Sequence, residues 1–153
     1  VRDNLFLAVR GVASGRFAFL RPRTRHASVA ATQELLERAR LTHLADEFVA
    51  NLAHGQQRQL EVGMALAGAP RLILFDEPAA GLSPAERREL VTLLRSLPAH
   101  MSFVLIEHDL DIALAVVERV TVMHNGRVLK TGTPQDIQED AQVQAIYMGG
   151  GRH

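Results

Sequence analysis

Asp76 and Glu77 stand side by side at the end of the apolar run Leu72-Ile73-Leu74-Phe75, and Pro78 follows them. Four apolar residues of strand length place both carboxylates at the carboxyl edge of a sheet, where open α/β proteins bind their ligands. There the first acid can hold a magnesium ion through water, and the second can orient and deprotonate an attacking water. A strand that simply ends in solvated acids reads the same way in isolation. The run Phe103 to Ile106 repeats the layout and ends in Glu107, His108 and Asp109. A histidine at that edge can donate to the terminal phosphate of a nucleotide or position the water, and an ordinary exposed loop histidine is the plain alternative. Glu107, His108, Asp109 and Asp111 also offer a crowd of metal ligands, but no second histidine stands at ligand spacing. The third place is Leu52-Ala53-His54-Gly55-Gln56-Gln57-Arg58-Gln59, directly before a helical pattern. Backbone N–H groups at a helix start form an anion site, and Gly55 lets a phosphate approach the main chain closely.

The elements that must position these residues change character near Asn51. Before it the pattern is helical and loopy: Leu5 to Arg10, a basic Gly-containing connection from Gly11 to His26, then Ala30 to Arg40 and Leu44 to Ala50. After it, helix and strand alternate as in a parallel sheet covered by helices. A helix through Leu60 to Ala67 ends at Gly68-Ala69-Pro70, and Leu72 to Phe75 is expected to be a buried strand. Ser83, Pro84 and Glu86 supply an N-cap, a first-turn proline and a capping-box acid for a helix to about Leu97. Ser102 to Ile106 is expected to be a second buried strand, and Asp111 to Val117 a helix. Val120 to Met123, Asn125-Gly126 and Arg127 to Leu129 form a hairpin with a two-residue turn. Thr133-Pro134 opens another helix, and Val143 to Met148 forms the last before Gly149, Gly150 and Gly151.

Composition narrows the functional classes. Seventeen Lys plus Arg balance seventeen Asp plus Glu, so no broad basic field is available to hold nucleic acid or anionic lipid. The absence of Cys removes disulfides and thiolate metal sites. Apolar stretches are interrupted before membrane-spanning length, and no signal segment opens the chain. The first residue is Val1, and Val1 to Arg10 reads as the middle of a helical run, so an upstream segment is expected.

Order and spacing of the three motifs resemble the ATP-binding-cassette (ABC) family. Leu52 to Gln56 is similar to its signature motif, Leu72 to Glu77 to its Walker B strand, Ala80 to Ser83 to its D-loop, and His108 to its switch histidine. Gly126-Arg127-Val128, Gly132-Thr133-Pro134 and Val143 to Gly149 resemble the C-terminal extension of the branched-chain amino acid importer branch. His54 and the run Gln57 to Glu61 look like that branch too, and the lipopolysaccharide-export ATPase carries a similar tail.

The resemblance implies a partial P-loop NTPase fold of α/β class, mainly a parallel sheet with flanking helices, preceded by a helical subdomain. It implies a permease-contacting segment over residues 1–51, the core motifs over 52–130 and the extension over 131–153. It also implies ATP and Mg2+ as ligands, with Asp76 holding the metal through water and Glu77 and His108 catalytic. Ala53, His54, Gly55 and Gln56 would then face the ATP of a second ATPase subunit in a head-to-tail dimer, and Ser83 would lie in the D-loop, between the two ATPase subunits. Membrane permease subunits and, indirectly, a solute-binding protein would be partners, with the ATPase peripheral on the cytoplasmic face of the cell membrane. Four departures bear on this. The phosphate-binding loop needs Gly, four residues, then Gly-Lys-Ser/Thr, yet Lys130 is the only lysine and Leu129 precedes it. The family's glutamine loop is likewise not visible. Ala53 replaces the usual signature serine, which removes a cap and phosphate donor worth roughly 0.5–2 kcal/mol, and Ser83 replaces the usual D-loop aspartate. The chain is thus expected either to be part of an active ATPase or to be a truncated, non-hydrolysing module that pairs with a complete subunit. In the family the strand leading into the phosphate loop lies beside Walker B, so Leu72 to Phe75 is expected to expose an edge.

Overall fold

A computed structural model describes residues 1–13 and 25–148. The connection read between Gly11 and His26 falls mostly outside them, as do Gly149, Gly150 and Gly151. The N-terminal part is a pair of helices, α1 (Arg2–Ala13) and α2 (Arg25–Arg38), leaning on α3 (His54–Leu66). Val1, Leu5 and Val9 recur every fourth position of the chain and are buried, so one stripe of α1 meets Leu35, Leu36 and Ala39 of the α2 region. Gly63 permits the crossing, because a Cβ there would sit 3.1 Å from Ala39 and 3.2 Å from Leu5.

Leu44 to Ala50 does not form the expected helix. It holds parts of two single 3-10 turns, Thr42–Leu44 and Val49–Asn51, separated by Phe48 with an extended backbone (φ −73°, ψ 140°). The extended backbone at Phe48 interrupts the run, so no continuous helical ladder forms across it.

The strands β1 (Leu72–Asp76) and β2 (Ser102–Ile106) pair in parallel, Leu72 opposite Ser102 and Asp76 opposite Ile106, with α4 (Pro84–Arg95) as the crossover. Both were expected to be buried strands, and both are covered on one face only. Ile73 and Phe75 join the core with Leu90, Leu93 and Leu94 of α4, and Phe75 meets Phe103 edge to face with ring centroids 6.0 Å apart. Leu74 (71% exposed), Leu72, Val104 and Ile106 face outward. An unbroken apolar run cannot reveal which faces have partners, because both faces carry apolar residues whether covered or not. Among the described residues β2 is the only strand paired with β1.

After α5 (Leu110–Val116) comes an antiparallel hairpin, β3 (Val120–His124) with β4 (Arg127–Gly132), turned by Asn125 (φ 49°) and Gly126 (φ 75°) as the Asn-Gly pair requires. Its Val122 packs in a second small cluster with Ile137 of α6 (Pro134–Gln138) and Val143 of α7 (Ala141–Val143). Thr133 and Asp136 close a capping box, and the Thr133 hydroxyl holds the Asp136 carboxyl below its usual range. The last helix starts earlier than Val143 and widens into a π-type turn over Gln144–Met148.

Candidate functional site

β1 delivers Asp76 as its final residue, exposed at the carboxyl edge. The chain then leaves the extended region at once. Glu77 adopts φ 46°, a left-handed conformation that costs a non-glycine residue on the order of 1–3 kcal/mol. Two backbone bonds hold it there: Glu77 N–H donates to the Ile106 carbonyl at 2.9 Å, and Ala80 N–H donates to the Glu77 carbonyl at 3.1 Å. The turn brings the Glu77 carboxylate within 3.3 Å of His108 Nδ1, and both side chains stay largely exposed (52% and 70%). The two residues singled out from separate strand ends are therefore neighbours in space.

Behind them lies Glu107, whose side chain is 1% exposed. Its Oε1 accepts the Ala79 N–H at 3.0 Å, and its Oε2 accepts the N–H groups of His108 at 3.2 Å and Asp109 at 3.4 Å. The sequence shows this acid only as one polar residue in a row. Its one legible signal is an acid directly after a strand that parallels the Asp76-Glu77 strand.

A second grouping forms where α3 and α4 begin. Ala53 stands at the N-cap of α3 with no side-chain oxygen, so only half of a capping box exists there: Gln56 Oε1 accepts the Ala53 N–H at 2.9 Å. The Gly55 N–H donates to Glu86 Oε1 at 2.8 Å, across from the first turn of α4. A Cβ on residue 55 would lie 2.7 Å from Glu86 Cγ, so the close approach that glycine permits is used here by a carboxylate. Ser83 caps α4 as expected, its Oγ accepting the Glu86 N–H at 3.4 Å, while its hydroxyl and N–H donate to Glu86 Oε2 at 2.6 and 2.8 Å. The Ser83 hydroxyl, then the Ser83 and Gly55 N–H groups, hold the Glu86 carboxyl down to about 2. His54 reaches toward Gly81, which takes φ 75°, so the signature-like and D-loop-like segments lie together.

The two groupings are joined through α4. Arg87 donates to the Leu82 carbonyl at 3.1 Å and pairs with Asp109, the N-cap of α5. Asp76 offers a hard oxygen ligand, and magnesium is commonly held by one or two carboxylates with phosphates and water. Asp76 fits that role if other ligands come with the nucleotide. Among the described residues no three His, Asp or Glu side chains are placed to hold a metal between them.

Comparison with known proteins matches residues 1–80 to the family described as ABC transporter. LivG of Salmonella typhimurium, a high-affinity branched-chain amino acid transport ATP-binding protein, is 37% identical over 97% of this chain and 62% of its own length. BraF of Pseudomonas aeruginosa, of the same description, is 36% identical over 74% of the chain and 46% of its own length. The lipopolysaccharide export ATP-binding protein LptB of Acidithiobacillus ferridurans is 39% identical over 76% of the chain and 49% of its own length. Among solved structures, an ATP-binding cassette of an ABC transporter superposes with a TM-score of 0.77 at 29% identity, covering 95% of this chain and 61% of that one. The chain thus spans about 62% of the LivG relative's length.

Proposed function

The chain belongs to the ABC transporter family, and on that premise we propose that it is the C-terminal portion of an ATP-hydrolysing subunit of an importer for branched-chain or other hydrophobic amino acids. The observation that carries this reading is the pairing of Glu77 with His108 at 3.3 Å on the carboxyl edge of a parallel strand pair. Asp76 at the same edge would hold Mg2+ through water, where such an ion would supply positive charge beside the phosphates. Glu77 takes the proton of the attacking water, and its turned backbone aims the carboxylate outward for that purpose. His108 contacts the terminal phosphate or steadies the water. Ala53, His54, Gly55 and Gln56 serve the ATP of a second subunit in a head-to-tail dimer, and Ser83 lies at the contact between the two. Residues 1–51 face the permease, residues 52–130 carry the ATPase motifs and 131–153 form the importer-branch extension. The assembly sits on the cytoplasmic face of the membrane, with a solute-binding protein as an indirect partner.

Importer function is supported by the match to LivG of Salmonella typhimurium, 37% identical over 97% of the chain. Lipopolysaccharide export is the second reading, favoured by the 39% identity to LptB. A non-hydrolysing module paired with a complete subunit is the third. The deciding measurement is steady-state ATP hydrolysis by a subunit in which this chain is joined to a phosphate-binding loop. Glu77→Gln keeps shape and removes the base, so turnover should fall roughly 10²-fold while ATP binding persists. Unchanged turnover in Glu77→Gln would remove Glu77 from the role of base.

A further inference from the structure

Glu107 has no part in the chemistry just described, although its carboxylate lies against both loops that carry it. Ala79, which donates to Oε1, follows Glu77 by two positions, and His108 and Asp109, which donate to Oε2, follow Glu107 directly. We propose that Glu107 is a positioning residue that sets the approach of Glu77 to His108 by binding the two loops through one buried carboxylate. This inference rests on the reading of Glu77 and His108 as the reacting pair.

The physical case begins with burial. A carboxyl group whose side chain is 1% exposed has given up water, and N–H donors must replace the hydrogen bonds that water supplied. Three backbone donors do so, two on one oxygen and one on the other. Releasing either loop would leave a buried carboxyl oxygen without a donor, which costs more than the bond itself contributes. The loop after β1 and the loop after β2 are therefore held at one spacing. Glu77, strained at φ 46°, lies in the first loop two residues before the Ala79 anchor, and a strained residue persists only where its surroundings over-determine it. With its lone pairs turned to backbone donors, Glu107 is also poorly placed to serve in the metal crowd that the local sequence offers.

A glutamine is the sharp probe, because it keeps the volume of Glu107 and has a single acceptor oxygen. Whichever way its amide turns, the NH2 group faces backbone N–H donors, so one of the two loops loses its anchor. In the 153-residue chain, amide hydrogen exchange at Ala79 or at His108 and Asp109 should quicken about tenfold or more in Glu107→Gln, while Val122 and Lys130 of the hairpin stay as they were. In the subunit carrying a phosphate-binding loop, Glu107→Gln should lower kcat about tenfold with little change in KM for ATP. A lost active fraction would do that too, so the cycle with Glu77→Gln decides. If Glu107 acts through Glu77, the double variant should be hardly slower than Glu77→Gln alone, whereas a merely structural role gives multiplied losses. Glu107→Asp, which keeps the charge on a shorter stem, serves if the glutamine variant fails to fold, and should free one loop in the same exchange measurement. Unchanged exchange at all three amides, unchanged kcat, or multiplied losses in the double variant would each overturn the proposal. If the unsubstituted subunit hydrolyses no ATP, the functional reading fails, and the exchange result still decides whether Glu107 holds the loops.

Discussion

The end of β1 and the start of α3 each carry a cluster built around one glutamate, and the two glutamates work in opposite directions. At the carboxyl edge that β1 shares with β2 the Glu107 carboxylate, directly after β2, is buried and gathers backbone N–H groups, while Glu77 and His108 project into solvent. At the start of α3 the carboxylate of Glu86 is only partly covered, and it takes up the Gly55 N–H together with the Ser83 cap. The first arrangement stores order in the backbone and leaves side chains for chemistry. The second uses a side chain to occupy a backbone donor at a helix start.

The contrast can be broken most forcefully from beneath β1. Phe75→Ala removes a ring that is 8% exposed and packs on Phe103, and the expected loss of stability is about 3–5 kcal/mol. Amides of Asp76 and Glu77 should lose protection more than those of Gly55 and Gln56. Equal loss in the two clusters, followed by hydrogen exchange, would mean that β1 does not anchor the first cluster separately. A smaller effect is expected from Gly55→Ala, where the new Cβ meets Glu86 Cγ at 2.7 Å and forces it out of its cap, at about 1–3 kcal/mol. Combining it with Glu86→Ala should recover part of that cost in a denaturation experiment. Strictly additive losses would show that the two residues do not meet.

The smallest effect is on acid stability. The folded Glu86 carboxyl sits at about 2 against an ordinary 4.5, so its contribution is fully present above 4.5 and is lost as pH falls from there toward 2. Thermal unfolding measured across that window should flatten in Glu86→Gln. Some slope should remain, because Asp136 and Asp140 are also held below their usual range, Asp140 chiefly by the Val143 N–H. An acid slope that Glu86→Gln leaves untouched would mean the Ser83 and Gly55 contacts do not form in solution.

Features set by neighbours along the chain were legible from residue types alone. Ser83-Pro84 with Glu86, Thr133-Pro134 and Asn125-Gly126 each specify a cap or turn through contacts within four positions, and each is formed as read; Asp136, which completes the cap at Thr133, was not singled out. The order of the signature-like, Walker B-like and histidine segments likewise identified the family, because motif spacing is a property of the chain itself. Leu44 to Ala50 was misjudged for the converse reason: its apolar residues suggested a helix, while the extended backbone at Phe48 divides it into two turns.

Tertiary structure alone decided the rest. Nothing within four residues of Glu86 announces that it meets Gly55, and nothing beside Glu107 announces Ala79, since those contacts span 31 and 28 positions. One-sided burial of β1 and β2 depends on where α4 packs, not on the apolar run. The turn at Glu77 lies in a region that bulky residues avoid, so local preference argues against it, and the bonds to Ile106 and Ala80 impose it. Sequence reading placed Glu77 and His108 at strand ends, but only the parallel register of β1 with β2 and a buried carboxylate behind them bring the two side chains into contact.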